Sequence, residues 1–216
     1  KSLQTPYPHQ PPYPLKGGIE CAPTVTVITK LQHPLSGGRG SDASGGRGSD
    51  ASGGRGSDGA LVTISVRDNG PGIVKNQIPK IFGKLLYGSK FHRLKMSRGQ
   101  QGIGISAAVM YSQMTTGEPA HVWSKLKGSP KGAAQHIRVF IDTAKNQPKL
   151  DHEGTDESDW WKQKTSGTAI ELTMSAQMKG GRHGVEAYLK QTALANPHAR
   201  ILYKHHKLAT KAQQEK

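Results

Sequence analysis

The chain has little of what several classes of protein require. Its one cysteine, Cys21, excludes an internal disulfide and a zinc site built from several cysteines. No apolar run approaches the roughly 18 residues of a membrane-spanning helix, and no signal peptide is visible. We therefore predict a soluble intracellular protein without a membrane partner, in the cytoplasm or, in a eukaryote, in the nucleus.

Acidic residues are also scarce. The sequence has 15 Asp and Glu against 30 Lys and Arg, which gives a net charge of +15. Such a balance favours a polyanionic partner, most simply DNA or RNA, although a basic surface that serves only solubility would give the same charge. The hydrophobic content of 33% is low and the 27 glycines are many, which predicts segments that form no core.

Low-complexity segments mark the domain organisation. We predict a disordered, proline-rich tail at residues 1–16 and a basic tail at residues 205–216. Residues 36–59 hold three tandem copies of Ser-Gly-Gly-Arg-Gly-Ser-Asp, which predict a flexible loop inside one hairpin. An Arg-Gly contact with nucleic acid is the alternative, but a repeat without function is favoured. Residues 17–178 and the C-terminal helix and strand at 179–204 are predicted to form one domain.

Hydrophobic alternation predicts strands, and spacing of three and four residues predicts helices. The expected strands are Thr24–Leu31, Ala60–Arg67, His121–Leu126, His136–Asp142, Thr168–Met174 and Arg200–Lys204. The expected helices are 76–86, 105–115 and 184–195, the last with Val185, Tyr188 and Leu189 turned inward. The polar stretch 145–164 is given no strand, and its pair Trp160-Trp161 is expected to pack against the sheet. The sum is an α/β two-layer sandwich, a mixed β-sheet with helices on one face.

Two motifs carry the chemistry. The turn Asp68-Asn69-Gly70-Pro71-Gly72 ends a strand with a carboxylate that can accept a hydrogen bond from a ligand edge. The glycines at 99, 102 and 104 precede a helix, whose start suits phosphate because its N–H groups are unpaired. Each motif alone also fits an ordinary turn. The spacing is neither that of a P-loop nor that of a dinucleotide-binding fingerprint.

Together the motifs resemble a known family. DNGPG, GQQGIG and the later Ser166-Gly167-Thr168 resemble the Bergerat or GHKL ATP-binding fold of gyrase, histidine kinases and the MutL proteins. The block 68–119 is very similar to the B subunits of type VI DNA topoisomerases, and the resemblance covers about residues 17–203.

The resemblance implies site residues. Asp68 would accept the adenine amino group, and Thr168 would help to position the adenine. Residues 83–101 would form the ATP lid, in which Ser89 and Lys90 touch ATP. The nucleotide loop would consist of Gly99, Gln100, Gln101, Gly102, Ile103, Gly104, Ile105 and Ser106. Many relatives carry lysine where this chain has Ser106.

The resemblance also implies cofactors and partners. They are ATP with Mg²⁺, homodimerisation on ATP binding, a partner A subunit in an A2B2 heterotetramer, and double-stranded DNA that is passed through a break. The family's glutamate base and asparagine metal ligand precede Gly17 on a helix, where this chain has PYPHQPPYPLK. We therefore expect a truncated chain that has no catalytic residue and no metal ligand and does not hydrolyse ATP alone. Another GHKL ATPase and a non-catalytic nucleic-acid-binding or scaffold protein are the alternatives.

Overall fold

One mixed sheet of seven strands organises the protein. The computed structural model describes residues 23–34, 60–87, 102–129 and 133–206. The strands are β1 (Thr24–Pro34), β2 (Ala60–Asp68), β3 (Ala120–Lys125), β4 (Ala134–Asp142), β5 (Gln147–Asp156), β6 (Gly167–Ala176) and β7 (Arg200–His206). Their order is β5-β4-β3-β6-β2-β1-β7. The β1–β7 pair is parallel and the other pairs are antiparallel, which confirms the predicted mixed sheet.

Four helices accompany the sheet in the described part of the chain. They are α1 (Ile78–Gly83), α2 (Gly104–Thr116), α3 (Asp159–Lys162) and α4 (Val185–Ala195), and short 3₁₀ turns precede α1 and α4. Pro79 lies in the first turn of α1, where its missing N–H removes no hydrogen bond. Helix α2 ends at Gly117, whose φ of 74° is the left-handed conformation that favours glycine after a helix.

The core lies between α1, α2 and one face of the sheet. Alternate residues of the strands point to this face, as the period of two requires. The buried cluster consists of Ile78, Phe82, Val109, Ala120, Val122, Ile137, Val139, Ile141 and Leu172. We call this side of the sheet the helical face and the other side the outer face.

The predicted hairpin is present. β1 pairs with β2 in antiparallel register, with Val27 opposite Val66 and a shift near Leu31. The repeat segment that would join these strands lies outside the described residues. The predicted N-terminal tail at 1–16 also lies outside them. So do most of the predicted C-terminal tail at 205–216 and most of the predicted lid at 83–101.

Three expectations for the fold are wrong. The stretch 145–164 contains strand β5, which pairs with β4, and the short helix α3. Helix α1 is shorter than predicted, because Lys75–Gln77 form a 3₁₀ turn and Lys84 is already extended. Tyr188 is 67% exposed, so it does not face inward from α4.

Aromatic side chains stack along the outer face. The rings of Trp123 and His136 lie 4.4 Å apart and almost parallel, and His121 and His152 flank them. Burial, with smaller contributions from His121 and His152, lowers the pKa of His136 to about 4. Burial also lowers the pKa of His121. The His136 imidazole is therefore neutral at pH 7.

Replacement of Ile137 by alanine should destabilise the fold by about 3 kcal/mol, because it leaves a cavity at a fully buried position. Urea denaturation would measure this loss. The matched control is Tyr188→Ala on the exposed side of α4, which should change the free energy of unfolding by no more than about 0.5 kcal/mol. Equal losses in the two variants would contradict the placement of the core.

Stability should fall as the pH falls from about 6.5 to about 4. In that window the unfolded chain takes up a proton on His136 and the folded chain does not, so acid favours unfolding. His136→Phe should weaken the dependence of the urea midpoint on pH across this window. Part of that slope should remain, because the pKa of His121 is lowered too. His198→Phe, in an exposed turn, is the control and should keep the slope. An unchanged slope in His136→Phe would contradict the assignment.

Candidate nucleotide-binding site

Asp68 ends strand β2 on the helical face. Val62, Ile64 and Val66 precede it at intervals of two residues, and their partners on β6 pack against the core beneath α2. Because side chains alternate along a strand, Asp68 belongs to the same face. The carboxylate and helix α2 therefore lie on one side of the sheet, as the sequence motifs require.

One carboxylate oxygen closes the acidic turn. Asp68 Oδ1 accepts a hydrogen bond from Gly70 N–H at 2.8 Å and another from Thr168 N–H at 3.1 Å. The second bond spans 100 residues of chain and brings two predicted site residues, Asp68 and Thr168, together. A Cβ at Gly167 would overlap the carbonyl oxygen of Asp68, so only glycine allows the strands to approach this closely.

The rest of the acidic turn is fixed to the end of β3. Ser124 is buried, and its Oγ accepts from Ile73 N–H at 2.7 Å and donates to Ile73 O at 2.9 Å. Gly72 has a φ of 79°, and a Cβ there would overlap the carbonyl oxygen of Lys125. Lys127 N–H donates to Pro71 O at 3.4 Å. The turn is thus held from both sides and keeps Asp68 in place.

The start of α2 offers backbone groups rather than side chains. Within the described residues no side-chain hydrogen bond caps it. The first N–H groups of a helix have no partner within the helix, so those of α2 can serve a ligand. Ile103 and Gly104 are exposed, and no atom of the described residues lies within 4 Å of a Cβ built on Gly104. Ile105 packs against the core, and the buried Ser106 hydroxyl donates to Gly102 O and Ile103 O. Only the amides of these residues remain for a ligand.

The C-terminal half of α2 is fixed at one end of the sheet. The hydroxyls of Ser112 and Thr116 donate to Thr173 O, and the Gln113 amide bonds to both backbone groups of Ile141. That end is opposite to the one that carries Thr168. Since the helix and this part of β6 are each about 20 Å long, we infer that the start of α2 is directed toward Asp68.

The remaining predicted site residues lie outside the described part of the chain. They are Ser89, Lys90, Gly99, Gln100 and Gln101. A cavity of about 510 Å³ lies at the far end of α2, and it contains none of the predicted site residues. Its lining consists of Gln32, Leu61, Thr115, Thr116, Glu118, Thr173 and Ser175.

Sequence reasoning missed Ser124. It lies among alternating residues of a strand, and no motif distinguishes it from any other serine in a sheet. Gly167 was visible within the Ser-Gly-Thr motif, but its close approach to Asp68 was not. Such contacts join residues far apart in the chain, so spacing along the sequence could not reveal them.

Residues 49–145 match the family described as histidine kinase-, DNA gyrase B-, and HSP90-like ATPase. The match includes the acidic turn, the start of α2 and strands β2, β3 and β4. This region is therefore similar to that ATPase class, and together with the mixed sheet the similarity bears out the predicted GHKL fold.

Within this class the chain is similar to the B subunit of type 2 DNA topoisomerase 6, as predicted. The identity is 54% over 142 residues with the protein of Methanosarcina mazei and 53% over 141 residues with that of Methanococcoides burtonii. It is 52% over 138 residues with that of Natronomonas pharaonis. These matches cover 64–65% of this chain but only 16–22% of the relatives, so the chain spans about a fifth of their length.

Gly72→Ala should destabilise the protein more than Gly128→Ala. Both glycines have a positive φ, 79° and 85°, so each substitution has a similar backbone cost of about 1–2 kcal/mol. Only the new methyl group at position 72 meets a carbonyl oxygen, which should add about 1–3 kcal/mol. Urea denaturation of the two variants isolates the steric contribution, and equal losses would contradict the packing of the turn on Lys125.

Proposed function

We propose that this domain binds ATP between the strand ends at Asp68 and Thr168 and the start of α2. One observation carries the proposal: a carboxylate held by two backbone amides lies on the face where an uncapped helix packs. The similarity to an ATPase class and to a topoisomerase subunit supports it.

The base end of the ligand is assigned to Asp68. Its Oδ1 already accepts two amide bonds, but a carboxylate has about four acceptor positions, so it can still receive the adenine amino group. Thr168 lies beside it through the bond between the strands. The rigid turn lowers the cost of ordering this contact when the ligand binds.

The phosphate end is assigned to the start of α2. The amides near Gly102, Ile103 and Gly104 supply donors, and the partial positive charge of the helix start favours an anion. Lys90, Ser89, Gly99, Gln100 and Gln101 remain predicted contacts outside the described residues.

Mg²⁺ is not assigned to side chains here. In the described part of the chain, no three acidic, histidine or cysteine side chains form a group that could hold a metal ion. Those residues do not fit a protein-held metal site, so no step is derived through one. The set of residues needed for hydrolysis is likewise incomplete there, and we assign no general base.

The same proposal extends to the assembly. By likeness to the topoisomerase B subunit, the domain would homodimerise on binding ATP, join an A subunit as A2B2 and act on double-stranded DNA. ATP hydrolysis would belong to that assembly. Its place would be the cytoplasm near the nucleoid, or the nucleus in a eukaryote. No helix of the described residues is long and apolar enough to cross a membrane.

Asp68→Asn should weaken the binding of a fluorescent ATP analogue by about tenfold or more, because a charged acceptor is lost. The asparagine carbonyl can still accept from Gly70 and Thr168, so the turn should remain intact. Its new NH₂ group should also favour inosine triphosphate, which presents an oxygen where adenine has an amino group. Competition titrations of both nucleotides measure this preference.

The control is Glu186→Gln, which removes an exposed carboxylate from α4 that pairs with Lys190. It should bind both nucleotides like the unaltered chain. Equal affinity of Asp68→Asn and the unaltered chain for ATP would refute the role of Asp68. Failure of the unaltered chain to bind at any Mg²⁺ concentration would refute nucleotide binding and favour the scaffold alternative.

A further inference from the structure

The two tryptophans of α3 lie on the outer face, directly behind the candidate site. Trp161 is 2% exposed and packs with Ala134 and Ala169. Trp160 meets it edge to face, with ring centroids 4.4 Å apart. This edge-to-face geometry is favourable for an aromatic pair. Although α3 has only four residues, its two rings therefore pack against the sheet as a unit.

The Trp pair contacts the ends of four strands, and Ala134 supplies the contact at the start of β4. The Arg67 guanidinium lies 4.9 Å from the ring centre of Trp160, and Lys164 approaches the same ring at 5.3 Å. The buried Lys125 Nζ donates to Trp161 O at 2.9 Å. Together with Ala169, these contacts join α3 to β2, β3 and β6.

Three of the contacted residues are chain neighbours of residues that build the site. Arg67 precedes Asp68, and Ala169 follows Thr168. Lys125 follows Ser124, the residue that fixes the acidic turn. Side chains of neighbouring residues in a strand point to opposite faces of the sheet. Helix α3 therefore packs on the outer face of the same strand ends that carry the candidate site on the helical face.

We propose that Trp160 and Trp161 are positioning residues for the base end of the nucleotide site. They fix the separation of β2 and β6 at the point where Asp68 and Thr168 share a 3.1 Å hydrogen bond. This inference rests on the proposed function, since it concerns how Asp68 meets the base.

The effect is confined to one end of the site. The C-terminal half of α2 is fixed by bonds to Thr173 and Ile141 at the other end of the sheet. None of the described contacts of Trp160 or Trp161 involves α2. Loosening the Trp pair therefore disturbs recognition of the base and leaves the helix start in place.

The test is Trp160→Leu in the full chain, with ATP and inosine triphosphate titrated in competition with a fluorescent ATP analogue. The unaltered chain should prefer ATP, and the variant should lose about fivefold of this preference, at the low end of typical coupling between sites. Trp160→Phe keeps a ring beneath Arg67 and should restore most of the preference. Thermal unfolding of each variant reports its folded state.

Lys162→Ala is the matched control, because it removes only an exposed ion pair with Asp159 from the same helix. It should keep the preference for ATP. An unchanged preference in Trp160→Leu would overturn the inference, and so would equal weakening of both nucleotides, which indicates a general loss of structure. If the unaltered chain does not discriminate between the nucleotides, the proposed contact of Asp68 with the base fails instead.

Discussion

A single carboxylate oxygen joins the two strands on which the site depends. Asp68 Oδ1 closes its own turn through Gly70 N–H and ties β2 to β6 through Thr168 N–H. Bonds from amides to a charged acceptor are stronger than bonds between neutral groups. The residue proposed to bind the ligand is therefore also the residue that fixes its own surroundings, and its geometry is set before any ligand arrives.

That geometry is possible only because two glycines allow backbones to approach closely. Gly167 lets β6 lie against the carbonyl oxygen of Asp68, and Gly72 lets the turn lie against that of Lys125. On the outer face, Arg67 and Lys125 contact the tryptophans of α3. The ends of these strands are thus packed on both faces of the sheet. The base end of the proposed site is built from strand ends rather than from a free loop.

Sequence patterns predicted the parts that are locally encoded. β2, β4 and β6 alternate apolar and polar residues, and the acidic turn and the start of α2 carry recognisable motifs. β5 is mostly exposed and its residues do not alternate between apolar and polar. It is therefore recognised as a strand by its pairing with β4 and not by its sequence. The prediction that Tyr188 faces inward was wrong, because periodicity along a helix cannot show which of its faces is buried. Ser124 required knowledge of its partner, 51 residues away.

The two ends of the proposed site differ in the groups that they offer to a ligand. At the proposed base end, the fixed Asp68 carboxylate would supply the acceptor. At the proposed phosphate end, Ser106 is buried and its hydroxyl donates to the carbonyls of Gly102 and Ile103 just before the helix, so position 106 presents no charge to a ligand. The helix start contributes only about half a unit charge, which cannot balance a triphosphate. The remaining charge has to be balanced by the Mg²⁺ expected with ATP and by cations elsewhere in the chain, and among the predicted contacts Lys90 is the one that carries a positive charge.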